Sequence, residues 1–104
     1  GVVVLVEQRL EAWQMPEQEG LRLLIQRGQE ARQLLSNPAL ERWLRDLERK
    51  WFEGFEKMPL SDQPGRDRCV TIISIARQIT KDLEDDAREG DAAIATLRDI
   101  EEKK

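Results

Sequence analysis

The sequence has no histidine and a single cysteine, Cys69. Zinc sites built on His and Cys, cysteine–histidine pairs and serine triads therefore lack a ligand or a base, and only carboxylate-based metal sites remain open. An intrachain disulfide is excluded. Cys69 sits on an apolar helical stripe, so it is expected to be a buried thiol in a reducing compartment rather than a nucleophile. Clustered glycines of the kind that cradle phosphate are also missing, since "QPGRDR" offers only Gly65. Long hydrophobic runs are absent too. The opening "GVVVLV" gives way at once to Glu7 and Arg9, too short for a membrane span and without a basic leader or a small-residue cleavage site.

A positive charge excess is the next absence. The formal net charge is −4, and residues 82–104 hold nine acidic against four basic residues. Duplex binders display a basic face that displaces counterions, and Arg66, Arg68, Arg77 and Lys81 are a thin substitute, so direct nucleic-acid binding is not expected. "DLEDD" at 82–86 could hold a divalent cation only weakly, because successive helical positions point around the whole axis and no glycine-hinged loop follows. Accidental carboxylate pairs are numerous, but no pocket-forming topology accompanies them. No catalytic, cofactor-binding or metal-ligating residue is assigned, no cofactor is expected, and the chain reads as a non-enzyme.

What is present is helical sequence. Charged residues make up 37% of the 104 positions and hydrophobic ones 39%, a balance that favours amphipathic helices with wide solvated faces in one domain, 1–104. Prolines mark the joints. Met15-Pro16 ends any helix begun by residues 3–14 and starts another that runs to about Leu35, with Glu17 and Glu19 near its positive end. Asn37-Pro38 pairs a capping side chain with a residue that lacks the N–H a helix start leaves unpaired, so an aromatic helix should span 38–58. Pro59 disfavours helical geometry in the residue before it. A loop over 59–65, in which Ser61 or Asp62 could cap a turn containing Pro64, leads into a long helix assigned to 66–102. Gly90 is its weak point, as a kink, a close helix contact or an end; continuity is favoured.

The β-branched run "CVTIISI" at 69–75, like "VVVLV" at 2–6, raises a strand alternative. Against it, Cys69, Ile72, Ile73, Ala76, Ile79, Leu83 and Ala87 continue a three-to-four spacing into plainly helical sequence with no turn signal after Ile75. The predicted fold is all-α: an antiparallel helical hairpin with a long C-terminal helix plus one or two N-terminal helices.

On a wheel of about 100° per residue with Trp43 at zero, Gly54, Leu47, Leu40, Met58, Trp51, Leu44 and Phe55 fill an arc of about 120°. The charged residues from Glu41 to Lys57 occupy the remainder. Trp43, Leu47 and Trp51 are therefore expected in the core. Phe52 projects near 180°, among the charges, and is half-exposed or touches a second surface. The stripe beginning at Cys69 and continuing through Gly90, Ile94 and Leu97 would receive the aromatic face.

The arms differ in length, about 30 Å for the aromatic helix and about 60 Å for the last one. Residues 17–35, with Leu21, Leu24, Ile25, Gly28, Ala31, Leu34 and Leu35 on one side, could extend the shorter arm or fold back as a third helix. Failing both, the stripe at Ile94 and Leu97 must be buried between chains. Ile75, Ala93 and Ile100 lie together off the main stripe and offer a second, coiled-coil-like seam. The candidate interaction residues are thus Phe52, Ile75, Ala93, Ile94, Leu97 and Ile100.

The stretch "LLSNPALERWLRDLERKWFEGFEKMPLSDQPGRDRCVTIISIARQI" resembles small helical proteins encoded by tailed bacteriophages, often near head and packaging genes. Leu34, Leu35, Asn37, Pro38, Trp43, the 59–65 loop and Ile72 to Ile79 carry the likeness, which covers somewhat under half of the chain. "SDQPG" replaces the compact "DP" loop of that pattern. The resemblance implies a non-enzymatic virion or assembly component that self-associates, as a homo-oligomer, or docks on a larger complex, in the host cytoplasm or the virion and away from membranes. It assigns no site residue. The alternative is a small acidic regulatory inhibitor whose −5 tail competes with nucleic acid on a basic host or phage protein. A DNA-binding packaging factor is a third and weaker reading.

Overall fold

The computed structural model describes residues 17–103. It contains three helices, α1 over Glu17–Leu35, α2 over Pro38–Lys57 and α3 over Gln63–Glu102, and no strand among the described residues. The apolar opening at 2–6 and the Met15-Pro16 break lie outside that range. Residues 69–75 are inside α3, so the strand alternative is not adopted.

Caps set the boundaries. The Asn37 side chain accepts a hydrogen bond from the Ala39 amide at 2.9 Å, and Pro38 takes the first helical position, where its missing N–H costs nothing. At the other end of α2, Met58 is already extended (φ −75°, ψ 134°), as a residue preceding proline prefers. The chain then turns, with the Asp62 amide donating to the Pro59 carbonyl at 3.0 Å.

Asp62, not Ser61, provides the cap of α3: its carboxylate accepts from the Gly65 amide at 3.1 Å. Helix α3 consequently starts at Gln63, three residues before the expected Arg66, because Asp62 and Pro64 between them remove two unpaired donors from the first turn. Asn37→Ala and Asp62→Ala are each expected to lower the unfolding free energy by about 1 kcal/mol. Ser61→Ala should stay within about 0.5 kcal/mol of the parent. A urea titration of all three compares them directly.

The described residues divide into two compact units, one formed by residues 33–84 and the other by residues 17–32 together with 85–103. In the first, α2 lies antiparallel to the beginning of α3. The facing residues Met58 with Gly65, Gly54 with Cys69 and Glu48 with Arg77 step in opposite directions along the two helices. A Cβ at Gly54 would stand 4.0 Å from the Cys69 sulfur, which is itself 1% exposed, as expected of a buried thiol.

In the second unit, α1 packs on the C-terminal part of α3 at a glycine–glycine contact. A Cβ at Gly28 would come within 2.8 Å of the Gly90 Cα and 3.0 Å of the Asp86 carbonyl oxygen. One at Gly90 would come within 2.9 Å of the Gly28 Cα and 3.2 Å of the Leu24 carbonyl oxygen. Gly90 is therefore the close helix contact among the three roles the sequence allowed, and α3 continues through it. An Arg32–Asp91 ion pair lies beside the contact. The C-terminal part of α3 thus has a partner within its own unit.

Among the described residues the buried apolar side chains are small: Ala31, Cys69, Ala76, Ala87 and Ala93. Small side chains at the contact lines let backbones approach, whereas a pair of helices cannot surround a large side chain on all sides. Leu44, Leu47, Trp51, Ile72 and Ile73 are accordingly half-buried.

Candidate functional site

The two flanks of the α2–α3 hairpin differ in chemistry. One flank is polar and internally paired. Arg77 Nε donates to Glu48 Oε1 at 2.7 Å, and Arg66 lies 4.2 Å from the centre of the Phe55 ring while donating to the Met58 carbonyl at 3.3 Å. These contacts join α2 to α3 along one edge of the interface, although an exposed ion pair of this kind contributes at most about 1 kcal/mol.

The opposite flank carries exposed apolar side chains with no ion pair across it among those described. Trp43 lies about 140° from Glu48 around α2, and Ile79 and Ile75 lie about 160° from Arg77 around α3. Because the helices are antiparallel, all three project on the side away from the Glu48–Arg77 pair. Trp43 is 63% exposed, Ile75 56% and Ile79 41%. Counting back along α2 from the Gly54–Cys69 and Glu48–Arg77 levels puts Trp43 level with residues 80–82 of α3, about one turn or less beyond Ile79 on the same flank.

Trp43 departs from the expected core position. No residue of α2 is fully buried. The apolar arc on α2 is about 120° wide, and a single facing helix covers its middle, at Leu44, Leu47 and Trp51, leaving Trp43 outside at one edge. The signal was in the sequence, since Trp43 marks the boundary of the arc rather than its centre.

The sequence-derived interaction residues fall in different places. Phe52 and Ile75 belong to the unit of residues 33–84, and both are exposed. They do not form one surface, because Phe52 projects toward the Glu48 side and Ile75 toward the Trp43 side. Ala93, Ile94, Leu97 and Ile100 belong to the other unit. Ala93 is 3% exposed, which removes it from any open seam, and Ile94, Leu97 and Ile100 are half-buried. Of the Ile75–Ala93–Ile100 seam, Ile75 is exposed, Ile100 is half-buried and Ala93 is buried. Sequence reasoning missed Trp43 and Ile79 as exposed residues of the same flank because both had been assigned to stripes that meet in the core.

Among the described residues, no group of three or more Cys, Asp or Glu side chains is arranged to hold a metal ion, and no helix is long and apolar enough to cross a membrane. In the acidic tail, Asp85 pairs with Arg88 and Asp91 with Arg32. No family model, curated protein or solved structure matches the chain.

Proposed function

We propose that this chain is a non-enzymatic helical interaction protein that presents the Trp43–Ile75–Ile79 flank to a protein partner. The observation that carries the proposal is the exposure of Trp43, Ile75 and Ile79 on one flank of the hairpin, opposite the flank that the Glu48–Arg77 pair joins. Tryptophan is enriched among residues that anchor interfaces, and a contiguous apolar patch with a charged rim marks a binding surface more often than scattered apolar residues do. The setting we propose, on the resemblance of residues 34–79, is assembly of a phage head. The inhibitor alternative draws less support, because Asp85 and Asp91 of the acidic tail are occupied in ion pairs.

Co-sedimentation with purified phage head particles tests the reading. Wild-type chain is expected in the pellet, and Trp43→Ala should reduce the bound fraction by about tenfold or more, as for a central interface tryptophan. Raising the salt concentration should matter little for head-particle binding through Trp43, whereas an electrostatic inhibitor would lose its basic partner. A chain that neither pellets nor self-associates contradicts the proposal.

A further inference from the structure

Along the exposed side of α3, Arg68, Ile75 and Asp82 recur at intervals of seven residues and share one line, within about 40° of one another around the axis. All three are exposed. The middle residue is apolar, and the ends carry opposite charges at equal distances from it. A stripe with that order is complementary to itself when a second copy is laid antiparallel across it. A two-fold axis through Ile75 brings Ile75 against its own counterpart and sets Arg68 of each chain opposite Asp82 of the other, twice over.

We infer that the partner seated on this flank is a second copy of the chain, docked antiparallel through α3 with Ile75 at the two-fold axis and two Arg68–Asp82 pairs across it. The inference rests on the proposed interaction role and names its partner. Charge complementarity selects this occupant. Parallel alignment would place Arg68 against Arg68 and Asp82 against Asp82, so like charges reject that register while the antiparallel one gains two pairs.

The rest of the stripe agrees. Residues 63–84 carry four basic and three acidic side chains, so this part of α3 does not repel its copy as the acidic tail would. Ile79, one turn on from Ile75, extends the exposed apolar area, and Trp43 lies farther along the same flank, level with residues 80–82. Asp82 Oδ1 already accepts from Gln78 at 2.7 Å, which steadies the carboxylate and leaves its other oxygen for the partner's guanidinium.

The test is sedimentation equilibrium of the full chain, as wild type, Ile75→Asp, Arg68→Asp, Asp82→Arg and the double exchange Arg68→Asp/Asp82→Arg. All three positions are exposed, and circular dichroism checks that every variant remains helical. Wild type should show a reversible monomer–dimer equilibrium that weakens with added salt. Each single charge reversal should weaken dimerisation by about tenfold or more, because symmetry doubles its effect. The double exchange should restore affinity to within about threefold of wild type, since it regenerates both pairs with their signs inverted. Ile75→Asp should abolish dimerisation.

A wild-type chain that stays monomeric at sub-millimolar concentration overturns the inference. So does a dimer that the single reversals weaken but the double exchange does not restore. Neither result touches head-particle binding through Trp43, so failure of the dimer is distinguishable from failure of the broader interaction role.

Discussion

Alanine at Gly28 is expected to destabilise the protein by about 1–2 kcal/mol, although alanine is the better helix former by about 1 kcal/mol. The sign is decided by what the new methyl group meets. At 2.8 Å from the Gly90 Cα and 3.0 Å from the Asp86 carbonyl oxygen, it collides with backbone, which has no rotamer to change. The two helices must separate, and the close packing at buried Ala31 and Ala87 loosens with them. Gly90→Ala should behave similarly, with contacts of 2.9 and 3.2 Å to relieve.

Gly54 provides the opposite result. A Cβ there meets only the Cys69 sulfur at 4.0 Å, an ordinary van der Waals distance, so Gly54→Ala should stabilise the protein by about 0.5–1 kcal/mol. Combining Gly28→Ala with Gly90→Ala should cost less than the two losses added, because one separation of the helices accommodates both methyl groups. Thermal unfolding resolves these differences, since 1 kcal/mol corresponds to about 4–8 °C in a domain of this size.

The second large effect reverses the usual ranking of residue sizes. Ala76→Leu should cost about 1–3 kcal/mol, because position 76 is 2% exposed and three extra carbons must be forced between α3 and its neighbours. Trp43→Ala, which deletes one of the two largest side chains in α2, should cost less than about 1 kcal/mol, where a core tryptophan would cost about 3–5. Most of the Trp43 ring is already in water, so its removal neither opens a cavity nor returns much buried area to solvent. Denaturant titrations of the two variants, analysed with a common slope, compare them directly.

These two results also mark where the sequence was legible and where it was not. Asn37-Pro38 and Pro59 marked the ends of α2 because caps and proline geometry act within a few residues, whereas the start of α3 was placed three residues late, at Arg66 rather than Gln63. Cys69, Ala76 and Ala87 were assignable to the interior because each lies in the middle of its stripe, where any partner helix would cover it. The edges of a stripe depend on how wide the partner is and how many partners there are. Trp43 and Ile79 were misread for that reason, and Ala93, off the main stripe, turned out to be buried. Gly28 and Gly90 stood on apolar stripes in the sequence, but nothing local showed that they face each other across 62 positions of chain.

The exposure of Trp43 is the premise from which the interaction role follows, and its fluorescence reports on it without reference to any partner. In a variant with Trp13→Phe and Trp51→Phe, Trp43 is the sole indole, and iodide quenching is measured in dilute solution, below the concentration of self-association. The account predicts water-like, red-shifted emission quenched nearly as readily as free indole, with quenching lost as rising concentration or bound head particles cover the flank. Blue-shifted emission protected from iodide in the dilute monomer would contradict it, because Trp43 would then be part of the core and unavailable to any partner.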